Sequence, residues 1–240
     1  MTKKNILITG GTSGIGLSIA NSLHSNHRLV NLSRNEPVSK NLNIFSEFHK
    51  LDLLGPEENI KKVLIDLKDS GKVFNGLVAC AGMQKISPIT SVRQKDIMEL
   101  FQLNVFANVF LLKNMMRMGL LSNGASLIFL SSISSKNPDA GIATYSMTKA
   151  AIDNFVKVAA SEYSIKKIRV NSIRSGLINT PMIKKERAYS KDFLQKEELK
   201  YKLGAGKPEY ISSVVKFLLS DDSIWITGQN ITVDGGRGLY

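Results

Sequence analysis

Lys4-Asn5-Ile6-Leu7-Ile8-Thr9-Gly10-Gly11-Thr12-Ser13-Gly14-Ile15-Gly16 is the stretch whose reading decides the fold. Residues 4–9 are a short, mostly apolar run of the kind that forms a buried parallel strand. The run ends on a glycine-rich turn, and a helical pattern follows over 17–24. Strand, glycine turn and helix in that order is the context a dinucleotide-binding loop requires. The glycines let backbone approach a pyrophosphate. The helix N-terminus offers it N–H groups and a partial positive charge. A glycine turn selected only for tight packing is the minority reading. Gly10, Thr12, Ser13, Gly14, Ile15 and Gly16 are therefore candidate cofactor-binding residues.

Outward from this unit, strands and helices alternate. Strands are expected over 28–32, 48–53, 76–82, 126–130, 168–173 and 230–233, and helices over 57–70, 94–121 and 145–163. Alternation of this kind predicts an α/β fold: one doubly wound parallel sheet of seven strands with helices on both faces, spanning 1–240 as a single domain. In such sheets ligands bind beyond the carboxyl ends of the strands. The residues falling there are 9–16, Ser33 and Arg34, Asp52, residues 80–82, Ser131 and Ser132, and 174–180. Between about 177 and 208 the pattern becomes polar and irregular, as in a substrate lid. Its basic residues, Lys184, Lys185, Arg187 and Lys191, either meet an anionic substrate or form the solvated face of short helices, and the second is the stronger reading.

Two side-chain pairs bear on chemistry. Tyr145 and Lys149 are four residues apart, hence on one helix face. An ammonium beside a phenol favours phenolate and makes a tyrosine usable as an acid or base near neutrality. At the end of the second strand, where NAD-preferring sites carry an acid for the ribose 2′-hydroxyl, stand Ser33 and Arg34. A hydroxyl and a guanidinium suit a 2′-phosphate, so NADP is favoured over NAD.

Composition narrows the classes. No apolar run is long enough for a membrane span. The N-terminus offers three consecutive apolar residues, too few for a signal peptide. The single cysteine, Cys80, has no internal disulfide partner, and a reducing cytoplasm is the expected setting. The net charge of +12 comes from 32 basic and 20 acidic residues spread along the chain. No nucleic-acid motif and no paired Cys/His set accompanies it. Solubility and anionic ligands account for it better than nucleic acid does, and no metal site is expected.

At this point the motifs resemble, along nearly the whole chain, the short-chain dehydrogenases/reductases. The matches are Thr9-Gly10-Gly11-Thr12-Ser13-Gly14-Ile15-Gly16, Asp52, Ala81-Gly82, Asn104, Ser132, Tyr145 with Lys149, Ile168-Arg169-Val170-Asn171-Ser172-Ile173, and the run from Thr227 to Gly236. The resemblance implies a Rossmann-type catalytic domain transferring hydride between NADP(H) and a carbonyl or secondary alcohol. It implies that Tyr145 is the acid or base, and that Lys149 tunes it and holds the nicotinamide ribose. Ser132 would bond the substrate oxygen. Asn104 would anchor a water in a proton relay, and Asp52 would bond the adenine. Ala81, Gly82, Ile178 and Thr180 would complete the cofactor site. Two departures stand out. Ala79-Cys80-Ala81-Gly82 replaces the usual Asn-Asn-Ala-Gly, and Arg174-Ser175-Gly176 lacks the usual proline. Arg174 is read as lying near the nicotinamide end of the cleft, either contacting a substrate carboxylate or phosphate or facing the cofactor.

The closest general resemblance is to 3-oxoacyl-(acyl-carrier-protein) reductases, with Arg117, Lys166 and Lys167 as candidate charges for docking an acidic carrier. A sugar, nucleotide-sugar or steroid-like alcohol is the alternative substrate. A cofactor-binding regulatory protein without catalysis is the reading from another class. The resemblance also implies a homo-oligomer, a tetramer or dimer, formed through the helices at 94–121 and 145–163.

Overall fold

A computed structural model of the chain describes residues 3–185 and 191–239. Arg187 lies outside the described residues, as do the side chains of Lys184, Lys185 and Lys191. Seven strands among the described residues form one sheet in the order β3-β2-β1-β4-β5-β6-β7. They are β1 Lys4–Thr9, β2 His27–Ser33, β3 Glu47–Lys50, β4 Phe74–Ala79, β5 Leu121–Ser132, β6 Arg169–Ser175 and β7 Asn230–Val233. Every pairing is parallel. Crossover helices must therefore cover the sheet, and the strands can be apolar on both faces.

The helices divide into two layers. On one face lie α1 (Gly14–Leu23) and, near the chain's end, Pro208–Leu219. They pack Ile19, Leu23, Ile211, Val215 and Leu218 against Ile6, Ile8 and Ile128. On the other face lie α2 (Glu57–Asp69), the pair α3 (Gln94–Phe101) and α4 (Ala107–Arg117), and α5 (Ala143–Tyr163). These pack Leu64, Leu111, Ile152 and Val156 against Leu7, Leu77 and Phe129. A π turn, Gln102–Phe106, joins α3 to α4, with Ala107 N–H reaching back five residues to the Gln102 carbonyl. Two short helices, α6 (Pro181–Lys185) and α7 (Lys191–Glu198), lie in the irregular segment before α8 (Pro208–Leu219).

Boundaries differ from the sequence reading in two informative places. The helix expected over 94–121 ends at Arg117, because Gly119 takes φ +72° and Leu120 N–H closes on the Met115 carbonyl at 2.9 Å. That is a Schellman stop, for which glycine carries no Cβ penalty. The chain then enters β5 at Leu121, earlier than expected, through polar residues that bulge before the pairing register resumes at Ser126. The third strand ends at Lys50, so Asp52 stands in the loop beyond it rather than on its last residue.

Candidate active site

The carboxyl ends of β1, β2, β4, β5 and β6 open onto two adjoining cavities. The first, of about 330 Å³, is lined by Gly10, Thr12, Ser13, Gly14, Ile15 and Gly16 from the turn. Ser33, Arg34, Asp52, Ala81, Gly82 and Thr180 complete its wall. The second, of about 210 Å³, is walled by Ser132, Tyr145 and Ile178. Ile15, Thr180 and Met182 border both, so the two form one bent cleft. Ile178 departs from expectation. It lines only the second cavity of these two, where a parallel bridge to Gly206 fixes it.

The glycine turn is shaped for close backbone approach. Gly10 has φ +69°, and a Cβ there would lie 2.9 Å from the backbone of Ala81. A Cβ at Gly16 would overlap the Gly10 carbonyl. Gly14, at φ +53°, opens α1. Ser13 precedes that helix without a side-chain cap, and its first turn carries no acid. The orphan N–H donors of this first turn and the positive end of the helix therefore face the cavity. A dinucleotide pyrophosphate fits this cradle, where any larger side chain would fill the space.

Asn31 organises the turn from beneath. Its Oδ1 accepts from Gly11 N–H at 3.1 Å and from Ser33 Oγ at 3.0 Å. The sequence reading passed over Asn31, although a single polar residue inside Leu29-Val30-Asn31-Leu32 was the available signal. The consequence for Ser33 is direct. It is 5 % exposed and its proton is already donated. Arg34 is exposed on the rim of the first cavity. Asp52 is exposed, and its Oδ1 accepts from Leu54 N–H at 3.0 Å.

The reacting end is built on β5 and α5. Side chains alternate along a strand, so Ser131 and Ser132 point to opposite faces. Ser131 turns to α5 and donates to the Lys149 carbonyl at 3.3 Å. Ser132 turns into the second cavity beside Tyr145. The Ser132 hydroxyl accepts from Ser134 N–H at 3.2 Å and from Ser134 Oγ at 3.0 Å. Its own proton can thus be given to a substrate oxygen. Lys149 is buried. Its Nζ donates to the Leu130 carbonyl at 2.7 Å and lies 5.6 Å from the centre of the Tyr145 ring. Burial lowers its pKa to about 8, while the negative charge of Asp153 opposes that fall. Burial pushes the Cys80 thiol up to about 12, and it stays a neutral lining group.

Asn104 sits in the π turn, 1 % exposed. Its Oδ1 accepts from Met83 N–H at 2.9 Å, and its Nδ2 donates to the Met83 carbonyl at 2.9 Å and to Thr148 Oγ1 at 3.1 Å. Both amide protons are committed to holding the segment after β4 against α5. A Cβ on Gly82 would stand 3.2 Å from Asn104 Oδ1 and 3.7 Å from Lys149 Nζ. Asn104 and the lysine therefore close on one point, and Oδ1 keeps one lone pair there for a water.

Four charged residues named from sequence lie elsewhere. Arg174 pairs with Ser131 in the sheet and so faces α5, where its Nε bonds Asp153 Oδ2 at 2.6 Å. It lines neither cavity, so the expected substrate contact is corrected. Arg117 ends α4 just ahead of β5, and Lys166 and Lys167 just precede β6. That is the amino edge of the sheet, about 20 Å of strand from the cleft. Tyr201, absent from the sequence reading, walls the second cavity from the irregular segment. Its hydroxyl accepts from Leu177 N–H at 2.8 Å, and burial pushes its pKa up to about 12.

A cleft of this construction, at the carboxyl edge of a doubly wound sheet, defines a Rossmann-type oxidoreductase. A family model described as enoyl-(acyl carrier protein) reductase matches residues 10–237, and the chain belongs to the short-chain dehydrogenase/reductase family. It is therefore a dehydrogenase or reductase. An uncharacterized oxidoreductase of Bacillus subtilis, YxbG, is 29% identical over 100% of this chain and 93% of its own length. The 3-oxoacyl-(acyl-carrier-protein) reductase of Buchnera aphidicola is 30% identical over 98% and 97%. Among solved structures, a short-chain dehydrogenase family protein from Francisella tularensis superposes with TM-score 0.90 at 28% identity, covering 100% of both chains. ElxO with NADP bound (TM-score 0.85) covers 100% of both chains, and 4-hydroxyisoleucine dehydrogenase with NADH (TM-score 0.86) covers 99% of this chain and 100% of its own; each is 25% identical.

Proposed function

We propose that the protein interconverts a carbonyl and a secondary alcohol with NADP(H), Tyr145 being the general acid or base. The observation that carries this is the shared wall of the second cavity. Ser132 and Tyr145 both line it, with the Lys149 ammonium 5.6 Å from the phenol ring. Bound in the first cavity, the nicotinamide would supply or accept the hydride. The chain's own groups do the rest. The glycine turn and the α1 N-terminus bind the pyrophosphate, and Arg34 meets the 2′-phosphate. Ser132 donates to the substrate oxygen and orients it. Tyr145 gives that oxygen its proton during reduction and removes it during oxidation. Lys149 favours phenolate by its charge and keeps donors to spare for a ribose. Asn104 fixes the floor and offers Oδ1 to a relay water.

On substrate, relatives named as 3-oxoacyl reductases support an acyl thioester. The cavity of about 210 Å³ admits a sugar or another small secondary alcohol equally. A homo-oligomer is supported by large apolar side chains exposed on the two helices expected to pair, Met98 and Phe106 on one, Met147 and Val158 on the other. No helix among the described residues is long and apolar enough to cross a membrane, and we place the protein in the cytoplasm. The test is spectrophotometric. NADPH oxidation is followed against acyl-thioester, sugar and steroid ketones. Tyr145→Phe should cut kcat by about 100- to 10,000-fold while leaving coenzyme Kd unchanged. Turnover that survives Tyr145→Phe would sink the assignment, and coenzyme binding with no turnover on any ketone would favour a regulatory role.

A further inference from the structure

Helix α5 places Lys149 behind the cleft wall, its Nζ 3.7 Å from where a Cβ on Gly82 would stand, and, one turn later, turns Asp153 to the strands behind it. Both are buried, at 6 % and 4 % exposure. The Asp153 carboxylate is held at both oxygens. Oδ1 accepts from Ser172 Oγ at 2.8 Å, and Oδ2 from Arg174 Nε at 2.6 Å. From β7, Asn230 Nδ2 donates to Ser172 Oγ at 2.8 Å and to the Asp153 carbonyl at 3.1 Å. Two side chains of β6 thus fix the carboxylate, Asn230 of β7 braces Ser172 and the Asp153 backbone, and none of the four residues lines either cavity of the cleft. A buried ion pair is weak support for stability, since a packed apolar pair serves as well. Its position gives it another use, because Asp153 lies four residues along the same helix from Lys149.

We propose that Asp153 and Arg174 are positioning residues that set the charge of Lys149 from behind α5: Asp153 holds the ammonium charged, and Arg174 limits how strongly it does so. The groups around Lys149 leave this role to the pair. From α5 it meets Tyr145 and Asp153, and from β5 the neutral Leu130 carbonyl. Just after β4 comes the Cys80 thiol, which burial keeps protonated, and Asn104 in the π turn is neutral. Arg174 on β6 acts through Asp153, its ion-pair partner. Burial draws the lysine toward losing its proton, and the Asp153 carboxylate is the main charge opposing it. The proposal rests on the reading that Lys149 serves Tyr145.

The experiment titrates Lys149 directly in the full-length enzyme, by ¹³C NMR of labelled lysine Cε with Lys149→Met as the assignment control. Asp153→Asn should move the midpoint down by about one pH unit, and Arg174→Gln should move it up, by the ordinary effect of a neighbouring charge. Ser172→Ala removes a hydrogen bond and no charge, and should leave the midpoint in place. A purely structural network would not produce opposite shifts from the two charge variants. Shifts of the same sign, or a static midpoint in Arg174→Gln, overturn the proposal. If Asp153→Asn fails to fold, Arg174→Gln and Ser172→Ala still decide. The pH profile of kcat is measured in parallel. Opposite midpoint shifts with an unmoved profile would leave the charge control standing and remove Lys149 from the proposed catalytic role.

Discussion

Lys149 serves the proposed chemistry at the expense of the fold. An ammonium held at 6 % exposure with one hydrogen-bond acceptor among the described residues, the Leu130 carbonyl, loses more hydration than that bond returns. Its pKa falls from 10.5 to about 8 because burial outweighs the Asp153 charge. Between those two values the unfolded chain binds more protons than the folded one. Stability attributable to this group therefore rises with pH from about 8 to 10.5, and the full penalty applies below 8. A shift of that size corresponds to at most about 3 kcal/mol. Lys149→Met should raise urea-unfolding stability at pH 7 by up to that amount, abolish turnover, and flatten the wild-type slope between pH 8 and 10. A variant less stable than wild type at pH 7, with the slope intact, would show that burial is not what governs this lysine. The residue was legible in the sequence through its spacing from Tyr145. The partners that set its state were not, because Asp153, Ser172, Arg174 and Asn230 come from a helix and two strands whose register no local pattern specifies.

Among the elements, the unit that opens the chain was legible in its order, although α1 begins at Gly14 rather than at the expected Leu17. β1 spans the expected residues, since an apolar run closed by glycines allows few other readings. Helix ends were harder, and they share one device. α2 and α4 stop at Gly71 and Gly119, with φ +71° and +72°, and the next N–H reaches back five residues, Lys72 to Leu67 and Leu120 to Met115. After α5, Ile168 N–H reaches Tyr163 in the same way, but the left-handed position is Lys167 at φ 55°, the only non-glycine with positive φ among the described residues. A Cβ in that region carries a steric penalty that glycine avoids, offset in part by glycine's freedom in the unfolded chain. Lys167→Gly should therefore stabilise by roughly 0.5–1 kcal/mol, a rise in Tm of about 1–4 °C. Lys167 lies at the sheet's amino edge, so kcat and KM for small ketones should not move. A lower Tm would mean that the lysine side chain contributes more at that corner than its backbone strain removes. The π turn holding Asn104 is the counterexample, invisible in sequence because a π turn keeps the apolar content of the helix around it.

At the scale of the molecule, one sheet separates two apolar layers that share its strands. Leu7, Leu77 and Phe129 face one, and Ile6, Ile8 and Ile128 the other. Neither layer can lose its packing while the strands stay paired, so the chain should unfold in one cooperative transition. The coenzyme cradle is spread over the carboxyl ends of several of those strands, and a ligand bound there stabilises the whole. At 100 times its Kd, a coenzyme adds about 2.7 kcal/mol, or about 5–11 °C in Tm for a chain of this size. On the proposed reading, coenzyme specificity would enter through Arg34, since the Ser33 hydroxyl is spent on Asn31. An Arg–phosphate contact contributes roughly 1.5–3 kcal/mol, so NADPH should raise the single Tm more than NADH at equal concentration. Arg34→Asp should reverse that order, because a carboxylate repels the 2′-phosphate and accepts from a 2′-hydroxyl. Differential scanning calorimetry on both proteins with each coenzyme reads all of this together. Two separate transitions would break the chain into independent units, and equal shifts by the two coenzymes would take coenzyme choice away from Arg34.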